Sequence, residues 1–312
     1  MVIFSILLCA LLLDKLAGEP RKYHPLVYFG NLSNFLENRF NRNSSHCKKN
    51  NISKKMAGSF CVLLLLTVFV VPTYWLNSIA FDHLYFALNV LLLYFCIGWN
   101  SLIKHSSTVA SSLKVNDIES ARQRVGQIVS RETAELDQQG IAVAAIESTL
   151  ENGNDAVFAP IFWFLIGGIP AALAYRLINT LDAMWGYKNE RFRDFGWAAA
   201  RLDDIVNFLP ARLCALSYIL AGHKKSALHC LLTQTGVYTS PNGNPVMTSG
   251  AGALQVKLGG PVRYFGVDKI RPIAGTGQSP ESIDIDRACQ LVSRALLLWL
   301  CVVGIGAGVF YE

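Results

Sequence analysis

Four blocks of this chain hold residues whose types and spacing could do chemistry. The first runs from Arg131 to Asp155. Glu147 and Glu151 are four apart, so on a helix they share a face, and Asn152 and Asp155 continue the cluster. Oxygen-rich side chains beside an apolar segment suit a magnesium ion, which takes carboxylates together with phosphate oxygens; the plain alternative is a solvated helix face. The second block is R-L-I-N-T-L-D-A-M-W-G-Y-K-N-E-R-F, Arg176 to Phe192, with Asn179 and Asp182 one turn apart and Lys188 and Arg191 after Gly186. The third is A-A-A-R-L-D-D-I-V-N, Ala198 to Asn207, where Arg201, Asp204 and Asn207 fall on one helical face. Ionisable residues at the edge of a membrane core are unfavourable there, so function is the default reading; ion pairing that anchors broken helices is the other. The fourth is T-S-P-N-G-N-P, Thr239 to Pro245, followed by A-G-A-L-Q-V-K-L-G-G, Ala251 to Gly260. Amides in Gly-rich turns can cradle phosphate. There is no G-x-x-x-x-G-K-[ST], so this is not a P-loop, and turn formation alone also explains it.

The elements that position these blocks lie in or beside a membrane. Of 312 residues, 52% are hydrophobic and 16% charged, and the mean hydropathy is +0.33. That balance argues against a disordered chain or a coiled coil and fits a water-soluble globule poorly. The net charge of +6 is modest, and no basic run is interleaved with aromatics, so no nucleic acid is expected as a partner. The eight cysteines form no C-x-x-C pair, which speaks against a disulfide framework or a zinc site. The six histidines show no metal-ligand spacing, and G-x-S-x-G is absent.

The fold class expected is an all-α polytopic membrane protein. About three full transmembrane helices are expected at 56–81, 84–103 and 295–311, with a short first one at 1–18. The short one is read as retained, because no basic residue precedes Asp14 and no A-x-A follows. Only Asp82 and His83 separate 56–81 from 84–103, which makes a tight hairpin. Gly304 and Gly308 are spaced as a helix-packing face. Two further apolar stretches are read as broken or re-entrant: 156–175, interrupted by Gly167, Gly168 and Pro170, and 205–222, interrupted by Pro210 and Arg212. Residues 19–55 hold eight Lys/Arg against Glu19 and Glu37, so this segment is expected in the cytoplasm. The chain then reads as one integral membrane domain, 1–312. Within it are a cytoplasmic helical segment at 104–155, a charged cytoplasmic-side segment at 176–204, and Gly/Pro-rich loops and short helices at 223–290. In 104–155, Asn116 with Glu119 reads as a capping box, Ile118, Ala121, Val125 and Ile128 recur at helical spacing, and a second helix runs from about Asp137 to Leu150.

Together the four blocks resemble the CobD/CbiB family of cobalamin biosynthesis, the membrane-bound adenosylcobinamide-phosphate synthases. The opening L-L-D-K-L-A-G-E-P and Y-H-P-L, around Asp14 to Pro20 and Tyr23 to Leu26, are similar to the family's start. A-A-I-E-S-T-L-E-N and D-A-V-F-A-P-I-F-W resemble its central signature. N-T-L-D-A-M-W-G-Y-K-N-E-R-F and F-G-W-A-A-A-R-L-D-D resemble its most specific stretch. S-P-N, A-G-A-L-Q-V-K-L-G-G and D-I-D-R-A follow in family order. The resemblance covers nearly the whole chain.

What the resemblance implies is an amide-forming ligase that joins adenosylcobyric acid to (R)-1-aminopropan-2-ol or its O-phosphate, with ATP and Mg²⁺. It implies a multi-pass protein of the cytoplasmic (inner) membrane whose active site faces the cytoplasm, with other late cobalamin-pathway enzymes as candidate partners. Carried over residue by residue, the catalytic core is Glu147, Glu151, Asn152 and Asp155. Arg131, Lys188, Arg191 and Arg201 hold phosphates. Asp14, His24, Asn179 and Asn242 bind substrate, and Asp182, Asp203 and Asp204 hold Mg²⁺ or the aminopropanol ammonium. The chain departs from the family in its loop, S-P-N-G-N-P-V-M-T-S, where S-P-N-x-G-W-P-E-A-A is usual. Met247 stands where glutamate is common, Pro245 is displaced by one, and Ala156 replaces a usual glycine. The competing readings are a non-catalytic regulatory relative, against which the intact N-T-L-D, R-L-D-D and E-N blocks speak, and a transporter, against which the absence of an inverted repeat speaks.

Overall fold

The computed structural model describes residues 1–20, 24–41, 51–234, 236–238, 240–264 and 266–309. Tyr23 of the Y-H-P-L motif, Thr239 of the Gly-rich loop, His46 and Cys47 lie outside the described residues. So do Arg21, Lys22, Arg42, Lys48 and Lys49 of the basic segment, and residues 310 and 311 of the last expected span.

The helices in chain order are α1 (Val2–Ala17), α2 (Pro25–Phe40), α3 (Asn51–Ile79), α4 (Asp82–Cys96), α5 (Trp99–Lys114), α6 (Ile118–Gly126) and α7 (Gln138–Gly153). A π-helical turn, Asn154–Phe158, leads into α8 (Ala159–Trp185). There follow α9 (Trp197–Val206), α10 (Phe208–Ala221), α11 (Lys224–Thr233) and α12 (Gly243–Leu254). An antiparallel ribbon, β1 (Leu258–Tyr264) and β2 (Val267–Ala274), precedes α13 (Ser282–Val309). The chain forms two compact units: Met1–Gly98 with Ala159–Asn207, and Trp99–Phe158 with Phe208–Glu312.

The chain is an all-α polytopic membrane protein in its architecture. Four helical stretches are long and apolar enough to cross a bilayer: Ile52–Ile79, Asp82–Lys114, Gln138–Trp185 and Ser282–Val309. Trp197–Val206 with Phe208–Ala221 makes a fifth if the pair is one broken span. Apolar side chains on the outside of α3, among them Leu63, Val71 and Trp75, are exposed. Lipid can accept such a face, because a helix satisfies its own backbone polar groups.

Several boundaries differ from the sequence expectation. The second helix of the hairpin does not end at 103. It pauses where Ile97 is extended and resumes as α5 to Lys114. The break expected in 156–175 is present at Gly167 and Gly168, the latter at φ 66°, but the helix then continues to Trp185. Arg176, Asn179 and Asp182 therefore belong to the apolar helix and not to a separate charged segment. The second interruption falls at Asn207, not at Pro210 or Arg212. Pro210 sits in the first turn of α10, where its missing N–H has no intrahelical partner to lose. The cap of α6 is Asp117, whose carboxylate accepts from Ser120 N, while Asn116 adopts φ 58°. The last helix begins at Ser282, well before 295, and a Cβ on its Gly308 would meet nothing within 4 Å among the described residues. The ribbon in 223–290, read there as loop, is the largest miss: Pro261, Val262 and Arg263 pair with Ile270, Lys269 and Asp268.

The first unit is built around a core of Phe29, Cys61, Leu65, Leu181, Trp185, Phe195 and Ala199. Two glycines let its backbones touch. A Cβ on Gly58 would lie 1.9 Å from Phe195 O, and one on Gly196 would lie 1.7 Å from Trp185 O. In the second unit α7 is central, and every residue from Ile141 to Leu150 is buried. Its neighbours are α5, α6, α12 and α13.

The clash at Gly58 is with backbone, which no rotamer change relieves. Gly58→Leu should therefore lower the unfolding midpoint, at a cost of roughly 1–3 kcal/mol or more. Gly306→Leu, at a site with open space around it, should leave it unchanged. Thermal unfolding in detergent, followed by tryptophan fluorescence, compares the two.

Candidate functional site

The densest polar cluster in the second unit centres on Glu147, which is 1% exposed on α7. Burying a carboxylate is unfavourable unless donors surround it. Four do so here. Arg131, in the stretch between α6 and α7, donates to Oε2 at 2.5 Å, and Arg271 of β2 donates to the same oxygen. Tyr238, in the loop before α12, donates its hydroxyl to Oε1 at 2.9 Å. Gly259 N of β1 donates to Oε1 at 3.1 Å. Gly259 adopts φ 99° at the irregular start of the ribbon, and a Cβ there would lie 2.2 Å from Pro272 O. Burial, then the charge of Glu147, pushes the Tyr238 phenol far up, so it stays a donor. The Arg271 guanidinium also lies over the Tyr238 ring, 5.6 Å from its centroid.

A carboxylate offers about four acceptor positions, and the four donors match them. In this geometry Glu147 and Arg131 engage each other and are not presented to a ligand. Glu147 ties α7 to the stretch before it, to the loop before α12 and to the ribbon. Glu151 shares the helix with Glu147 but not its environment, because it is exposed. Asn152 turns back, donating to Ser148 O at 2.9 Å. Asp155, on the π-helical turn, is half-buried and accepts from Asn154 at 2.8 Å. Asn242 accepts from Arg212 at 2.7 Å. Arg212 also reaches Pro241 O and stacks on Phe208, so it straps the 240–242 loop to α10.

A second cluster is built within the first unit. Asn179 of α8 donates to Asp203 of α9 at 3.3 Å. Asn207 donates to both Asp203 oxygens at 3.1 Å and accepts from the Tyr175 hydroxyl at 3.0 Å. Asn207, on the face read in the sequence with Arg201 and Asp204, holds Asp203. Asp204 pairs instead with Arg201 at 3.3 Å near the surface. Asp182 closes the end of α8: a Cβ on Gly186 would meet its Oδ1 at 2.1 Å. Lys188 is exposed. Asp14 is buried on α1. His24 caps α2, its Nδ1 accepting from Leu26 N at 3.2 Å. Burial and the nearby Arg176 charge lower the His24 pKa, against the pull of Glu19.

Arg191 is tied to Glu37, a buried acid of α2. Burial alone would raise the Glu37 pKa. The hydrogen bonds from Arg191 and Asn41 and the Arg191 charge outweigh it and hold the carboxyl below its ordinary value. Sequence reasoning passes over Glu37, Tyr238, Arg271 and the strap by Arg212. Arg271 stands 124 residues from Glu147 and Arg191 stands 154 from Glu37, so no local spacing could pair them.

Among the described residues no three His, Cys, Asp or Glu side chains converge as a metal site. Asp203 still fits the mode in which Mg²⁺ takes one or two carboxylates plus substrate phosphates. Among the described residues its Oδ2 accepts from one amide, which leaves a lone pair to offer.

Glu147→Ala would leave two guanidiniums facing each other without their carboxylate. It should destabilise the protein by roughly 3–5 kcal/mol, against about 0.5 kcal/mol or less for Glu151→Ala, as read by thermal unfolding. The Glu37–Arg191 pair has its own pH signature. With a lowered folded pKa, its stabilisation is present above the unfolded value of 4.5 and is lost as pH falls through the lower folded value. An unfolding series from about pH 6 to about pH 3 should show this loss, and Arg191→Met should remove that part of it.

A family model described as "CobD/Cbib protein" matches residues 7–292. The chain is 50% identical over 290 residues to "Cobalamin biosynthesis protein CobD" of Chromobacterium violaceum, covering 93% of this chain and 92% of the relative. It is 45% identical over 311 residues to the protein of the same name in Stutzerimonas stutzeri, covering 99% and 100%. It is 34% identical over 285 residues to the one in Mycobacterium tuberculosis, covering 90% and 88%. No solved structure matches it. With a family match across nearly its whole length and relatives at this identity, the chain belongs to the CobD/CbiB family of cobalamin biosynthesis proteins.

Proposed function

We propose that this protein is the amide-forming ligase of cobalamin biosynthesis that joins adenosylcobyric acid to (R)-1-aminopropan-2-ol or its O-phosphate. The observation that carries the reading is the meeting of Asn179 with Asp203 at 3.3 Å. These residues come from the two separate motifs, N-T-L-D and R-L-D-D, that are most specific in the family resemblance, and the fold brings them to one place beside an apolar helix. The reading places the protein in the cytoplasmic membrane with this polar side toward the cytoplasm, where the basic 19–55 segment belongs by the positive-inside tendency.

A carboxylate and an amine do not condense unaided in water, so the corrinoid carboxylate has to be activated, with ATP as the phosphoryl donor. One carboxylate oxygen then leaves with the phosphoryl group as the amine nitrogen attacks. Asp203 would hold Mg²⁺, which when bound would supply neutralisation of phosphate charge. The chain's own cations for the phosphates are Lys188, which is exposed, and Arg201, which is exposed beside its pair with Asp204. The ammonium must lose a proton to become a nucleophile, and a carboxylate of the chain takes it.

The test is a ligation assay on the purified protein in detergent with adenosylcobyric acid and Mg-ATP, offered either amine in separate tubes, with products separated by mass. The amide mass in one tube supports the ligase and names the amine. Absence of product in both, with folded protein and intact ATP, overturns the reading in favour of a non-catalytic relative. Asp203→Asn should reduce turnover by about a hundredfold or more while leaving the protein folded in the membrane.

A further inference from the structure

Arg176 is the only charged residue between Asp155 and Asp182. It lies within the apolar stretch Gln138–Trp185, where a charge is unfavourable unless it is paired. A guanidinium carries five N–H donors. The one side-chain hydrogen bond that Arg176 makes among the described residues runs from Nη1 to Asn179 Oδ1, and it is long, 3.4 Å. Its Nε is shielded from solvent and meets no acceptor. No carboxylate pairs with it within 4 Å among the described residues; Asn179 stands between it and Asp203. The undescribed residues of the same unit, 21–23 and 42–50, contain no Asp or Glu to supply one. The other arginines of this unit's site are matched, Arg191 with Glu37 and Arg201 with Asp204. Arg176 is half-buried, so one side of it remains open to a ligand.

We propose that Arg176, steadied by Asn179, is the anchor for an oxyanion, a phosphate or a carboxylate, on a ligand of the first unit. The planar fork of a guanidinium matches both groups through paired N–H bonds. A buried-edge cation with no carboxylate within 4 Å among the described residues is what such a site looks like before its anion arrives. The inference reaches past the ligase reading, because it holds for any oxyanion ligand whether or not amide formation is the reaction.

The test is binding, not turnover, so it stands apart from the ligation assay. The full chain in detergent is heated with rising inorganic phosphate, acetate, aminopropanol O-phosphate or free aminopropanol, each against matched chloride. The expected result is a rise in unfolding midpoint with an anion and none with the free amine. A rise with phosphate and the phosphorylated amine names a phosphate; a rise confined to acetate names a carboxylate. Arg176→Met should keep or raise the midpoint without anion, since it removes an unpaired charge, whereas Arg191→Met should lower it. Arg176→Met should also lose the anion response. Arg176→Lys keeps the charge without the fork and should weaken anion binding about tenfold or more; it decides the matter should Arg176→Met fail to fold. No rise with any anion in the wild type, or an undiminished response in Arg176→Lys, would overturn the proposal.

Discussion

A carboxylate placed inside an apolar helix bundle has to be met by donors from wherever the chain can supply them, and much of the second unit is organised by that need. Glu147 sits where α7 is buried on all sides. Its two oxygens draw in a side chain from the stretch before α7, one from the loop before α12, one from β2 and a backbone amide from β1. A two-stranded ribbon is marginal by itself in water. Here two of its groups are bound to a buried acid, and the same acid fixes Tyr238, whose backbone N–H in turn donates to Asn244 at 2.9 Å. The Gly-rich segment that the sequence presents as loop is thereby given a shape.

The first unit solves a different problem: polar residues must be held at the edge of apolar helices without being cancelled. Close backbone approach at Gly58 and Gly196 brings α3, the end of α8 and the 192–196 turn together. That packing fixes α9 against α8, so Asn179, Asp203, Asn207 and Tyr175 form one hydrogen-bonded chain. Asp203 is oriented by two amides and left with acceptor capacity, while Arg176 beside it has donors to spare. The two stand one amide apart, each joined to Asn179.

Much of this was legible in the chain itself. Charge-free runs long enough for a bilayer, the breaks marked by Gly167, Gly168 and Pro170, and the helical spacing of Ala121 and Val125 all correspond to observed structure. The motif order carried the family, which the matched relatives establish. Less legible were the exact breaks. Pro210 is harmless in a first helical turn, and Asn207 carries the interruption without any residue type that announces one. The ribbon escaped because Pro261 and the glycines at 259 and 260 mask its alternation.

The role of each charged residue depended on distance in space. Glu147 and Glu151 look equivalent in sequence, four apart on one helix, yet one is enclosed by four donors and the other is exposed. Arg131, Arg191 and Arg176 are equally alike as letters. Two have acids as partners, one of them 154 residues away, and the third has none among the described residues. Sequence by itself determined the membrane-helical architecture and the family, because both follow from local apolar length and contiguous motifs. Which charges are neutralised and which stay available to a ligand was decided only by the tertiary structure, because ion pairing is set by separations of a few ångströms that spacing along the chain does not encode.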